Sequence, residues 1–362
     1  MIAVILGTRP EIIKMSPILR LLRRQRKPYF LLHTGQHYSY EMDKRFFEDL
    51  DLPTPHESLS ISRFKASGHG EQTALMMRGI ETAFLKRKPR VVLVQGDTNT
   101  VLAGSLVTAK LPGMKLGHVE AGLRSYDRCM PEEINRIASD HVSDFLFVPT
   151  RAAKTTLLSE GVSAKKIHVT GNTIVDAVFE NLQIAKKKVK LKRWGLPGDG
   201  SYLLVTLHRQ ENVDHKARLQ SILRGIEKTA LHFKKTVLFP VHPRTQKRLK
   251  EFGLKLPSMI QAVEPVGFLE FLRLEAGAAL LLSDSGGVQE EGCILKVPCV
   301  TLRTSTERPE TVTAGGNVIA GYEADTILRL ARRMMHVPRR WANPFGDGRT
   351  AERIIRISEQ GS

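Results

Sequence analysis

The sequence predicts an α/β protein made of two doubly wound parallel sheets. Three observations carry that expectation. Short runs with apolar residues on consecutive positions alternate with helix-period segments, the pattern of strands buried on both faces by helices. Nearly every polar motif falls at the carboxyl end of one of these runs. A charged, Gly- and Pro-rich stretch at 186–200 divides the runs into two series, and 362 residues exceed what a single core usually holds.

The first series comprises Ile2–Leu6, Tyr29–His33, Val91–Gln95, Leu116–Val119, Phe145–Val148 and Ile167–Val169. The second comprises Tyr202–Thr206, Thr236–Pro240, Met259–Ala262, Ala279–Leu282, Cys299–Leu302 and Val318–Ala320. Gly70–Lys88 reads as the clearest amphipathic helix between them. Pro131 opens another, with Glu132 and Glu133 in its first turn. This alternation is that of βαβ units, and two doubly wound domains with a cleft between them is the most economical layout. The sequence shows no internal repeat and no low-complexity tract.

Composition narrows the function classes. With 41% hydrophobic and 25% charged residues the chain has ordinary globular composition. Three cysteines, Cys129, Cys293 and Cys299, are too few for a disulfide scaffold and lack metal-ligand spacing, so a reducing, cytoplasmic setting is expected. The apolar start, Ile2 to Leu6, is too short for a signal segment, and no run approaches the ~20 residues of a membrane helix. A net charge of +18 admits nucleic acid, an acidic small substrate or plain solubilising charge. Aromatics are only 6%, and no helix-turn-helix, zinc-finger or RNP-like pattern occurs, so neither nucleic acid nor a membrane is an expected partner.

The polar motifs fall at the carboxyl ends of the predicted strands, where open α/β sheets bind ligands. In the first half these are Gly7–Glu11, Gly96–Thr100 and Glu120–Gly122; in the second, His208–Asn212, His242–Arg244 and Asp284–Glu291. Helix capping explains one or two such clusters, but a whole set at the same end of two sheets argues for one cleft ligand. The stretch from Gly117 to Arg136 is the candidate chemical centre. It gathers Glu120, Glu132 and Glu133 with Arg124 and Arg128, enough to hold an acid and a base near cations. The macrodipole alone also favours acids in a first helical turn. In the second half, Ser285-Gly286-Gly287 leads into a helix, an anion site suited to phosphate. Glu291 lies one turn further, within reach of ribose hydroxyls, and Arg308 is placed to close on a diphosphate. Neither the dinucleotide glycine fingerprint nor a P-loop is present.

Together these motifs resemble the non-hydrolysing UDP-N-acetylglucosamine 2-epimerases, in particular their archaeal branch. The resemblance rests on Gly-Thr-Arg-Pro-Glu-Ile-Ile-Lys (7–14), Thr-Gly-Gln-His-Tyr (34–38), Gln-Gly-Asp-Thr-Asn-Thr (95–100) and His-Val-Glu-Ala-Gly-Leu-Arg-Ser (118–125). Met-Pro-Glu-Glu-Ile-Asn-Arg (130–136), Thr-Gly-Asn-Thr-Ile-Val-Asp-Ala (170–177) and Leu-His-Arg-Gln-Glu-Asn (207–212) continue it. Asp-Ser-Gly-Gly-Val-Gln-Glu-Glu (284–291) and Thr-Glu-Arg-Pro-Glu (306–310) complete a set that spans almost the whole chain in order.

The resemblance implies a GT-B-like fold of two Rossmann-like domains, residues 1–172 and 173–344, with a last helix near 345–362 packing back on the first. It implies inversion at C2 of UDP-GlcNAc to give UDP-ManNAc through a 2-acetamidoglucal, without metal or other cofactor. Asp97, Glu120 and Glu132 are then the acid/base carboxylates, and His208 sits by the diphosphate. Arg9, Lys14 and Arg308 are the cations around UDP, Ser285, Gly286 and Gly287 hold its phosphates, Glu291 its ribose and Phe271 its uracil. A homodimer is also implied. In bacterial members a second UDP-GlcNAc binds beside the substrate and activates, and Gln36, Arg209 and His242 match part of that site.

One departure is Thr304, where the family usually shows Asp. Rival expectations are a 2-epimerase of UDP-diacetamido uronic acids, a hydrolysing epimerase releasing ManNAc, a GT-B glycosyltransferase and a basic non-catalytic binding protein. The Thr-Glu-Arg-Pro-Glu tract favours UDP-GlcNAc over the uronic acid.

Overall fold

Val, Ile, Leu and Phe on successive positions leave a strand no polar face, so each must be covered on both sides. The computed structural model describes residues 1–37, 40–61 and 68–361; Tyr38 lies outside them. The chain divides into two compact units, Met1–Phe179 with Phe345–Ser362, and Glu180–Pro344. The division falls within the helix Thr173–Lys188.

The first unit holds β1 (Ile2–Leu6), β2 (Tyr29–His33), β3 (Glu57–Ser58), β4 (Val91–Gln95), β5 (Lys115–Val119), β6 (Phe145–Val148) and β7 (Ile167–Val169). They form one parallel sheet in the order β3-β2-β1-β4-β5-β6-β7. Ala3, Ile5, Phe30, Val92 and Val94 pack beneath Ile80 and Phe84 of the helix His69–Arg87. β3 has no apolar signal; it is a two-residue edge strand made by pairing Leu32 and His33 with Glu57 and Ser58.

The second unit holds β8 (Tyr202–Thr206), β9 (Thr236–Pro240), β10 (Ile260–Val263), β11 (Leu280–Ser283), β12 (Cys299–Thr301) and β13 (Asn317–Ile319). These also run parallel, in the order β10-β9-β8-β11-β12-β13. Leu203, Val205, Phe239, Leu282 and Val300 are sealed by Ile222 and Ile226 of the helix Lys216–Phe233 and Ile327 of Ala324–Met335.

In both sheets the strand order reverses beside the first strand, between β1 and β4 and between β8 and β11. Helices depart in opposite directions there, leaving a crevice at the carboxyl ends. The fold is thus α/β and GT-B-like, as the sequence predicts. After β13 and its helix the chain returns to the first unit. There the backbone N–H groups of Thr350 and Ala351 donate to the Asp176 carboxylate at 3.2 and 3.0 Å, which caps the helix Thr350–Gln360. That helix packs on Arg9–Arg24. Among the described residues no helix is long and apolar enough to cross a membrane.

Candidate active site

The first unit's crevice begins where β1 turns into a helix. A side chain at Gly7 would collide with the hydroxyls of Thr34 and Thr100, so the turn needs its glycine. Those hydroxyls lie 2.8 Å apart, and the Gln36 amide oxygen accepts from Thr100 N–H and Oγ1 at 2.9 and 2.8 Å. Gln36 is thereby committed to joining the β2 loop to the helix after β4. Glu11 closes the same turn. It accepts from Gly7 N–H at 2.6 Å, from Thr8 N–H at 2.9 Å and from the Thr98 hydroxyl. Burial outweighs these bonds and pushes the Glu11 carboxyl up to about 7.

Glu120 stands directly after β5 with φ of 70°, a left-handed conformation that costs a side-chain-bearing residue about 1–2 kcal/mol. Its N–H is held by the Phe147 carbonyl at 3.0 Å, and its side chain is gripped from three elements. Lys14 Nζ reaches both carboxylate oxygens at 2.7 and 2.6 Å, Asn172 Nδ2 reaches one at 3.1 Å, and Gln95 Nε2 donates to the other. Only 8% of Glu120 is exposed. Two residues on, Gly122 has φ of +80°, and a Cβ there would stand 2.6 Å from the Ala153 carbonyl oxygen.

Asp97 follows β4. Its Oδ2 accepts from Arg136 Nε at 3.0 Å and Nη2 at 2.6 Å, and its carbonyl accepts from Asn135 Nδ2 at 2.9 Å. The third Arg136 nitrogen donates to Glu133 at 2.7 Å. Glu133 is buried. Although burial pushes it up, N–H donors of Ser125 and Tyr126 and the Arg136 guanidinium hold it below the usual carboxylate range. Glu132, its neighbour, is exposed. Arg9 is half-exposed, its Nε 3.0 Å from buried Asp43 and its guanidinium 5.6 Å from the Phe46 ring centre. Of the other arginines in the stretch, Arg124 is buried between Asp140 and Glu160, whereas Arg128 is exposed.

In the second unit the organising group is Asp284, after β11. Its buried carboxylate accepts from His208 N–H at 3.1 Å, Arg209 N–H at 3.0 Å and Asn212 Nδ2 at 3.1 Å, locking the β8 loop to the β11 loop. Burial opposes its charge, but His208 and these donors keep Asp284 below the usual range. The His208 ring lies with Nδ1 3.2 Å from Asp284 and its centre 5.6 Å from that of His242. Burial, then the charges of His208 and Arg244, pull His242 below the ordinary imidazole range. Arg209 reaches Glu307 at 3.5 Å.

Ser285 caps the ten-residue helix Gly286–Leu295, and Gly287 is exposed at its first turn, with only Ser285 Oγ, at 3.8 Å, near a Cβ built there. Bare N–H groups meet the positive helix end there. Further along, half-buried Glu291 stands beside buried Glu275, whose carboxyl is raised well above normal by burial and by the Glu291 charge. Phe271 is half-buried against the cluster around Leu274 and Val288. Arg308 caps Pro309–Thr313, with Nε 3.5 Å from Glu290 and Nη1 3.0 Å from the Glu307 carbonyl.

Comparison with known proteins adds to this geometry. The UDP-N-acetylglucosamine 2-epimerase family profile matches residues 20–359. A UDP-N-acetylglucosamine 2-epimerase of Methanocaldococcus jannaschii is 54% identical over 366 residues, covering 99% of both chains. The chain belongs to the UDP-N-acetylglucosamine 2-epimerase family. The solved structure of the Methanocaldococcus jannaschii UDP-GlcNAc 2-epimerase superposes with a TM-score of 0.92 at 52% identity, over 99% of each chain. Its complex with UDP-GlcNAc and UDP superposes with 0.81 at 53% identity, again over 99% of each.

The structure brings Lys14 and Glu120 into one cluster, and His208, Arg209, His242 and Asp284 into another. Sequence reasoning missed the groups that hold them. Gln95 and Asn172 sit inside motifs that it quoted, yet nothing local says that their amides turn toward Glu120. Nothing in the sequence pairs Arg136 with Asp97, 39 residues away. Among the described residues no group of three or more His, Cys, Asp or Glu is arranged to hold a metal ion.

Proposed function

We propose that this protein inverts C2 of UDP-GlcNAc to give UDP-ManNAc by eliminating and re-adding UDP. A carboxylate takes the C2 proton while the C1–O bond breaks and its electron pair leaves with UDP, forming the C1=C2 bond of 2-acetamidoglucal. A carboxyl then returns a proton to the other face of C2 as the UDP oxygen re-forms the bond to C1. No hydride leaves, so the reaction as written consumes no redox cofactor.

The observation that carries this reading is Glu120, fixed in a left-handed backbone at a strand end with Lys14, Gln95 and Asn172 on its carboxylate. Such a base is aimed before substrate arrives, so no reorganisation is spent at the moment of reaction. Asp97, oriented by Arg136, and Glu132 are the further acid/base carboxylates. Departure of UDP asks for donors where charge develops. The N–H groups of Gly286 and Gly287, the Ser285 hydroxyl, His208 and the cations Arg9, Lys14 and Arg308 answer that need. Glu291 takes the ribose hydroxyls and Phe271 the uracil face. On this reading, Gln36, Arg209 and His242 serve an activating second UDP-GlcNAc only if UDP-ManNAc alone fails to turn over freely.

Incubation of the purified protein with UDP-GlcNAc in D2O, followed by proton NMR, tests the proposal. A mixture of the two nucleotide sugars with deuterium at C2 is the expected result. Free ManNAc, or unlabelled and unchanged substrate, rejects it.

A further inference from the structure

Beneath Glu120 and Asp97 lies a buried polar group that the reaction as written does not use. His118, in β5, is 1% exposed, and both its ring nitrogens face oxygen: Nδ1 is 2.7 Å from Asp140 Oδ1 and Nε2 is 2.8 Å from the Gly96 carbonyl. A neutral imidazole has one N–H, so it would leave one oxygen facing a lone pair; the imidazolium satisfies both. Burial alone would lower its pKa, but the Asp140 charge and bond, the Gly96 carbonyl and the Asp97 charge together raise it. The rest of the cluster balances that charge. Asp140 Oδ2 accepts from Gly122 N–H at 3.1 Å and from Arg124 at 2.7 Å, and Arg124 forks onto Glu160 at 2.8 and 2.7 Å.

The backbone atoms held by this cluster are significant. Gly96 precedes Asp97, and Gly122 lies two residues beyond Glu120. Gly96 also donates its N–H to the Val119 carbonyl at 3.1 Å, so the β4 turn is tied to β5 at both its N–H and its C=O. Both glycines have positive φ, +87° and +80°.

We propose that His118 and Asp140 form a clamp that fixes the spacing of the strand ends carrying Asp97 and Glu120, His118 acting as a positioning residue for the epimerisation. This rests on the catalytic reading above. Both carboxylates must meet one sugar carbon, and a 1 Å misplacement is worth roughly 100-fold in rate. Ser285 and Arg308, to which UDP contacts are assigned, belong to the second unit and the clamp to the first, so rate and binding should separate.

The test uses His118→Phe, which keeps the volume without the donors, and Asp140→Asn, which keeps the shape without the charge. Deuterium incorporation from D2O, kcat, KM and UDP affinity are measured for each. The expected result is kcat lowered roughly 10- to 100-fold, with KM and UDP affinity within about threefold of the parent. A folded variant with kcat within threefold of the parent overturns the proposal. So does one whose loss lies wholly in KM. Nitrogen-15 NMR of the parent at pH 7 gives a readout independent of activity and of variant folding. Two protonated nitrogens on His118 support the clamp, and a lone pair on either overturns it. If the parent itself incorporates no deuterium, the activity reading fails while the NMR result still decides the clamp.

Discussion

Glu11 makes the stability of this protein depend on pH in a direction opposite to that of most carboxylates. Its carboxyl is fully buried, and burial raises it from 4.5 to about 7. Between those values the folded state holds a proton that the unfolded state has released, so stability rises as pH falls through 7 toward 4.5 and is lost as pH rises. Above pH 7 the charged form carries the whole penalty. A shift of about 2.5 units at ~1.4 kcal/mol per unit comes to about 3 kcal/mol, of which roughly 2–3 develops between pH 5 and 8. Glu11→Gln removes the charge while its amide oxygen still accepts from Gly7 and Thr8. Thermal unfolding of parent and variant from pH 5 to 8.5 is the assay. At ~2–4 °C per kcal/mol, the variant's advantage should grow by about 5–10 °C across the window. Parallel Tm curves would refute the reasoning, as would an advantage that grows toward acid.

Three further outcomes follow from the same geometry. Glu120→Gln should leave UDP affinity within a few-fold and cut deuterium incorporation at C2 by roughly 100- to 10,000-fold, read by NMR in D2O. Gly122→Ala should lower Tm through a loss of about 2 kcal/mol or more, because its φ of +80° is costly for alanine and the Ala153 carbonyl must move aside. Asp284→Ala should strand the His208 and Arg209 N–H groups, a cost of about 1–3 kcal/mol per buried group. It should also weaken UDP binding measured by calorimetry, because both side chains hang from that loop.

Every apolar run of the sequence became a strand within a residue or two, since strands covered on both faces leave no ambiguity about their period. β3 escaped because Glu57 and Ser58 pair through backbone alone and carry no pattern. The helix expected over Gly70–Lys88 spans His69–Arg87. The site was legible at the strand ends, where chain order brings a polar motif to each carboxyl terminus. Long-range partners were not. Lys14 meets Glu120 across 106 residues, and Asn172 meets it across 52, distances over which no spacing rule operates. Glu132 and Glu133 differ in burial although they are adjacent, because only one can turn inward from a helix's first turn. The sequence treats the pair alike.

The cap that Asp176 places on Thr350 and Ala351 has a consequence for synthesis on the ribosome. A growing chain usually folds its leading domain while the following one is still being made. Here the leading unit lacks its closing helix until residues 345–361 have emerged, long after the whole second sheet has been translated. The Asp176 carboxylate and the apolar face of Arg9–Arg24 therefore wait uncovered while the ribosome adds the whole second unit, Glu180–Pro344. The unit translated first is thus the last to be finished.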